Sequence, residues 1–423
     1  MEVFDLRKVL LSIMVAAMTL GVGAAQPVTI EVWHSLGEAF GAPEFEAIAN
    51  RFNEVQDDIV VDVVYAGGYV DAMQRAQAAS AAGNLPNVVM FEQTRGAGFV
   101  DAGSILALND YLENDPEANR DDLFERLLLT CTYGDTLYCL PYNNSTPLLY
   151  YNADAFRDAG LDPETDVPTT WEELLEVGPQ LAQYDDNGQL TRWALGLGAS
   201  PGWLMDAFMG QAGGRFLNED GSRFVFDGPA GVETMNYWLE LIENDIAIVS
   251  TSQTEDLFSG RQVMMLQSTA NLVDYFNTAT FEIGATQLPC HVECYAPIGG
   301  GNFYIMDVGD DVKHDASWEF MKWILSPENG AEFAAATGYM APRPSALETP
   351  TLVAAFEALP EARVTYDQMA SHGYARTLVP FWNEVHNAYG VATEEVLLSG
   401  IAPELALEIA VEEANRLLDV YAR

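Results

Sequence analysis

The residues best suited to chemistry in this chain are aromatic. Tyr69, Trp203, Tyr304 and Tyr339 each stand beside a glycine or at the edge of an expected loop. Aromatic faces lining a cleft take the apolar face of a polyol or sugar, and tyrosine hydroxyls add hydrogen bonds. Packing in a core is the ordinary fate of any one such ring. Catalytic patterns are sparse. No HExxH zinc helix and no P-loop lysine occurs. His34, His291, His314, His372 and His386 show no metal-ligand spacing. The 63 acidic residues make chance carboxylate pairs inevitable. A secreted glycosidase or phosphodiesterase is therefore the rival to non-catalytic binding, and no cofactor is expected. The four cysteines fall into two close pairs, Cys131 with Cys139 and Cys290 with Cys294. Neither pair has CxxC spacing and only His291 lies near, so two local disulfides are expected rather than zinc or free thiols.

The elements that must position these residues follow from periodicity. Val28 to Trp33 alternates as a strand, and Phe45, Ile48, Ala49 and Phe52 give Pro43 to Val55 a helical face. Ile59 to Tyr65 is a second strand. Tyr69 to Ala82 reads as a helix ended by Gly83, and Asn87 to Phe91 is a third strand. This order predicts a doubly wound α/β lobe, whose ligands sit at the carboxyl ends of strands. The loops after Trp33, Tyr65 and Phe91 are suspects on that ground alone. Further on, Leu137 to Leu140 and Pro147 to Tyr151 look extended. Thr170 caps a helix opening at Trp171, Trp193 to Gly198 is a strand and Trp203 to Gln211 a helix. Strands at Gln262 to Leu266 and Phe303 to Met306 are too isolated to make a sheet of their own. They must join sheets begun earlier, so segments cross a hinge more than once. From Val312 onward the chain is mostly helical. The expected division is residues 26–142 with 270–330 in one lobe, and 143–269 with 331–423 in the other.

The chain's length, 423 residues of which 49% are hydrophobic, is enough for two packed lobes. Arg7 and Lys8 precede the apolar run Val9 to Val22, and Gly23-Ala24-Ala25 follow. That pattern predicts a cleaved export signal over residues 1–25 and a periplasmic mature protein. Net charge is −44, and only Lys313 and Lys322 remain as lysines beyond the signal. Such a surface repels DNA, RNA and anionic lipid, so nucleic acid is not an expected partner. An anionic ligand would need helix N-termini, backbone amides or one of the few arginines to overcome this field.

One stretch resembles a known family. Leu140-Pro141-Tyr142-Asn143-Asn144-Ser145-Thr146-Pro147-Leu148-Leu149-Tyr150-Tyr151-Asn152 is similar to the "LP…LYYN" element of the family 1 solute-binding proteins of ABC importers. Ala155-Phe156, Ala159-Gly160 and Thr170-Trp171 continue it. Trp33-His34-Ser35, Tyr65-Ala66-Gly67-Gly68-Tyr69, Gly299-Gly300-Gly301, Ser326-Pro327-Glu328-Asn329 and Thr337-Gly338-Tyr339 resemble the branch that binds sn-glycerol 3-phosphate. The resemblance implies a type II, two-lobed periplasmic-binding-protein fold that closes on a small polar ligand and docks on a membrane permease as a monomer. It also implies ligand contacts at Tyr69, Glu92, Ser145, Ser268, Gly300 and Tyr339, with Trp203 as one of two stacking tryptophans. Glu92 would accept from glycerol hydroxyls, and the others would donate to phosphate oxygens. Two positions depart from the branch. Ser200 replaces the second tryptophan, which leaves room for a larger glycerophosphodiester. The phosphate-binding arginine has no clean counterpart: an ungapped comparison puts Tyr389 there, and Arg376 is the candidate that would supply the guanidinium. Without a cation, a neutral oligosaccharide becomes the better ligand.

Overall fold

The computed structural model describes residues 26–198 and 202–421, so the expected export signal lies outside it. The strands that build its two main sheets are, in chain order, β1 (Val28–His34), β2 (Ile59–Tyr65), β3 (Val88–Glu92), β4 (Leu140–Ser145), β5 (Pro147–Asn152), β6 (Leu190–Leu197), β7 (Ala247–Val249), β8 (Gln262–Ser268), β9 (Ile283–Thr286) and β10 (Gly299–Ile305). The first sheet has the order β2-β1-β3-β10-β4 and the second β7-β6-β8-β5-β9. In the first, β1, β2 and β3 run parallel, β10 is antiparallel to β3, and β4 is antiparallel to β10 and so runs with the first three.

Crossover helices α1 (Ala42–Val55) and α2 (Tyr69–Ala82) join the parallel strands. Helix α1 buries the expected stripe of Phe45, Ile48, Ala49 and Phe52. Gly83 ends α2 in the left-handed conformation, where glycine carries no Cβ penalty. Thr170 caps its helix by accepting from the Glu173 amide at 3.1 Å. The helix expected over 203–211 instead opens as a tight turn, Trp203–Met205, before Asp206–Gln211 turns α-helical.

Each sheet packs in its own core. The first contains Phe45, Phe91, Tyr142 and Phe303, and the second Phe208, Trp238, Trp382 and Tyr389. The late strands do join earlier sheets: β8 pairs with β5 and β6, and β10 with β3 and β4. The places where the chain changes lobe differ from those expected. It first leaves at Thr146, not after 142, because β4 stays in register with β10 up to Ser145 opposite Gly299. Within 270–330, β9 belongs to the second sheet, since Ile283 to Thr286 pair with Asn152 to Leu149. Beyond 331, helix α3 (Pro327–Thr337) still belongs to the first core, where Phe333 packs on Tyr142 at 4.7 Å between centroids. Only later do α4 (Trp382–Ser399) and α5 (Pro403–Tyr421) fill the second core. Between them, Gly373–Tyr374 pairs with Ala296–Pro297, adding a third link beside the first two.

Cys131–Cys139 and Cys290–Cys294 are disulfide-bonded, with Cα atoms 4.9 and 4.5 Å apart.

Candidate functional site

The candidate residues gather where the chain passes between the sheets. Glu92, Ser145 and Ser268 are the last residues of β3, β4 and β8, and Tyr69 is the first of the helix after β2. These are carboxyl ends of strands and the turn that follows one. Gly301 of β10 lies opposite Glu92 in the ladder, and Gly299 opposite Ser145.

On the first lobe the geometry is set by Asn143. Its Oδ1 accepts from the Gly301 amide at 3.1 Å, and its Nδ2 donates to the Tyr69 hydroxyl at 2.7 Å. The backbone donor fixes the amide orientation, so the Tyr69 oxygen must accept and its own proton is left for another group. Tyr339 adjoins the same hydroxyl. Burial pushes the Tyr69 phenol far up and Tyr339 to about 12, so both remain proton donors at neutral pH.

Gly300 has φ +92°, and a Cβ there would stand 1.9 Å from the Asn143 carbonyl oxygen. The close approach that requires glycine at 300 is thus to a neighbouring strand. Ser268 uses its hydroxyl to accept from the Ala270 amide at 3.2 Å, and Ser145 is almost fully buried.

Arg376 is not a surface residue. Its side chain is 8% exposed; Nη1 donates to Glu92 at 2.6 Å, and Nε lies 3.4 Å from Asp206. Asp206, 4% exposed, also receives His386 at 2.9 Å. Removing one member of such a network leaves a buried charge uncompensated. Trp203 lies over the Gly299 backbone, where a Cβ would come within 2.8 Å of its ring. Beside Arg376, Tyr295 and Tyr374 stack at 4.4 Å, and the Arg215 guanidinium sits 4.8 Å above Tyr295. A cavity of about 280 Å³ opens there between Asp206, Arg215, Tyr295 and Arg376.

Two sequence-based candidates stand elsewhere. Tyr304 is core, wedged against Phe91 and the Gly96 backbone. Tyr389 is also core, edge-on to Phe216 and Phe226, and contributes nothing to the cleft. Ser200 lies outside the described residues. The sequence Gly198-Ala199-Ser200-Pro201-Gly202 around it does have the GxSxG spacing of a nucleophile elbow. A cavity of about 760 Å³ near His291 has none of these groups in its lining. Its ring faces are already occupied: His291 stacks on Trp171 at 4.5 Å, and Trp171 on Tyr237 at 4.1 Å.

Sequence reading missed Asn143, Asp206, His386 and the Tyr295–Tyr374 pair. Asn143 was within reach, because it sits in the same quoted stretch as Ser145. The others are far apart in the chain and meet only in the fold: Asp206 and His386 on helices of the second core, and Tyr295 and Tyr374 beside the short Ala296–Gly373 ladder. What results is a wall of hydroxyls, an indole, two carboxylates and a buried guanidinium. Such a set can bind and orient a polar anion. Among the described residues no cluster of three His, Cys, Asp or Glu side chains is arranged to hold a metal, and no helix is long and apolar enough to cross a membrane.

A family model of bacterial extracellular solute-binding proteins matches residues 47–362. The sn-glycerol-3-phosphate-binding periplasmic protein UgpB of Pectobacterium atrosepticum is 27% identical, over 96% of this chain and 94% of the relative. Among solved structures, UgpB from Mycobacterium tuberculosis in complex with glycerophosphocholine superposes with a TM-score of 0.81 at 23% identity, over 94% of this chain and 99% of that one. The cyclic alpha-maltosyl-1,6-maltose binding protein from Arthrobacter globiformis has the same TM-score, 0.81, at 24% identity, over 93% and 99% of the two chains. At these identities the superpositions establish the two-lobed fold and leave the ligand open.

Proposed function

The chain belongs to the bacterial extracellular solute-binding protein family, and from that premise we propose that it captures a phosphorylated glycerol. The ligand is glycerol 3-phosphate or a glycerophosphodiester, held unchanged between the lobes. The protein is exported to the periplasm and delivers its ligand as a monomer to the permease of an ABC importer. The observation that carries the phosphate reading is Arg376, a guanidinium 8% exposed in a chain of net charge −44. Glu92 and Asp206 compensate its charge, but its buried Nε makes no hydrogen bond, which leaves a donor for an anion. The Tyr69 and Tyr339 hydroxyls supply donors beside it. Trp203 offers its face to the carbon backbone, and Glu92 its oxygens to the glycerol hydroxyls.

Thermal shift and calorimetry test this directly. Glycerophosphocholine or glycerol 3-phosphate at about a hundred times Kd should add about 2.7 kcal/mol of stability. Arg376→Gln should weaken binding at least tenfold. Trp203→Ala should weaken it with little loss of stability, since the ring covers a cleft wall. Stabilisation by maltose or trehalose alone would end the phosphate reading. The GxSxG spacing at 198–202 keeps a hydrolase as the second reading. Incubation with glycerophosphodiesters and glycosides separates the two: binding returns the ligand intact, and a hydrolase returns fragments.

A further inference from the structure

Arg95 is a second guanidinium beside Glu92 and has no adequate partner. It ends the turn Gln93–Arg95 directly after β3, and its side chain is 20% exposed. Its Nε is buried without a hydrogen bond. The nearest carboxylate oxygen, Oε2 of Glu92, is 4.0 Å away, and Nη1 reaches only the Met73 sulfur at 3.9 Å. Glu92 is already engaged elsewhere. Its Oε2 accepts from the Thr94 amide at 3.2 Å and hydroxyl at 2.5 Å, and its Oε1 accepts from Arg376 at 2.6 Å. One carboxylate thus stands between two guanidiniums. Arg95 also borders a cavity of about 480 Å³ whose far side is Pro380, Asn383 and Glu384 at the start of α4. It therefore faces the gap between the lobes. A partly buried guanidinium whose Nε has no partner is costly alone and well matched to a tetrahedral oxyanion.

We infer that Arg95 is a second anion-binding residue of the cleft. It holds the phosphoryl group from the first lobe while Arg376 holds it from the other side. Glu92 is the stand-in anion between them, and it turns to the ligand's hydroxyls when the phosphate arrives. The inference rests on the phosphate-ester reading above.

Calorimetric titration of the mature protein with glycerophosphocholine and with glycerol 3-phosphate is the test. Arg95→Gln should fold normally and lose about tenfold or more in affinity for both. Arg95→Lys keeps the charge without the fork and should lose about threefold to tenfold. Glu384→Gln, across the cavity, should bind as wild type does. Should Arg95→Gln not fold, Arg95→Lys decides. Wild-type affinity in Arg95→Gln or Arg95→Lys would overturn the inference and leave the proposed function standing. An equal loss in Glu384→Gln would also overturn it, because Arg95 would then be a closure contact with α4. Failure of the wild-type protein to bind either ester would remove both.

Discussion

At the scale of single residues, the cleft depends on which atoms carry protons. Asn143 settles one of them: by accepting from a backbone amide it is forced to donate to Tyr69, which leaves the phenolic proton for the adjoining Tyr339 hydroxyl or for a bound molecule. Asn143→Asp reverses this. The carboxylate would take the Tyr69 proton itself and add a negative charge beside the anion site. The expected outcome is at least a tenfold loss in phosphate-ester affinity together with a lower unfolding temperature, since Asn143 is fully buried, read by calorimetry and thermal unfolding. His34 makes a different case. It is fully buried between Phe45 and Tyr65, and burial lowers its pKa from 6.5 to about 4. The folded pKa lies below the unfolded one, so the stability it contributes is complete above pH 6.5 and is lost as pH falls toward 4. The loss is at most about 3 kcal/mol. His34→Leu should lose correspondingly less than wild type between pH 6.5 and 4 in denaturant titrations. Equal slopes would show that the Glu46 carboxylate, 3.5 Å away, charges the ring within the fold. Residues of this kind were only partly legible in the sequence. Tyr69 and Glu92 could be named because the family resemblance implies them, in loops that follow readable strands. Arg95 and Asp206 could not, since their importance comes from partners on other elements.

At the scale of elements, the start of β10 shows why three glycines stand in a row. Gly300 turns through positive φ with no room for a Cβ beside the Asn143 carbonyl, Gly301 is crowded by the Phe91 carbonyl and Tyr69, and Gly299 meets Trp203. The register between β10 and β4 shifts at Gly301–Asn302, a bulge that brings the strand against Asn143. Gly300→Ala should therefore cost about 3 kcal/mol or more, from strain and backbone overlap together. Gly299→Ala should act on binding instead, because its methyl group would push the Trp203 ring away. Thermal unfolding beside ligand titration of both variants separates the two effects, and a Gly299→Ala protein with unchanged affinity would show that the ring has room to shift. Elements of this lobe were readable from alternation and helical spacing alone. The exchange points between lobes were not, because they depend on pairings such as Ser145 with Gly299 or Asn152 with Ile283, between residues far apart in the chain. No local pattern encodes such a register.

At the scale of the whole molecule, scarcity of positive charge becomes an organising fact. The few cations serve as ties. Arg51 binds Glu332 and Asn329 to join α1 to α3. Arg343, buried, donates to the carbonyls of Ala118, Asn119 and Leu325. Arg376 links the two halves of the cleft through Glu92 and Asp206. Around these ties the rest of the surface is a field of net charge −44. At physiological ionic strength salt screens that field beyond about a Debye length, roughly 8 Å, so an anionic ligand is repelled only close to the surface. Inside the cleft the nearest cation is the Arg376 guanidinium, held between Glu92 and Asp206. The long-range repulsion governs association and the short-range attraction governs dissociation, so salt should act on the two rates separately. Raising sodium chloride from about 10 to 300 mM, which shortens the screening length several-fold, should increase the association rate of a phosphate ester. Stopped-flow tryptophan fluorescence measures this, with a neutral disaccharide as the comparison. A neutral ligand feels no net force from the same field, so its association rate should stay flat. An association rate for the ester that falls with salt would mean that the cleft projects positive potential into solvent despite the surface around it. That outcome would place the steering charge outside the Glu92–Arg376 pair.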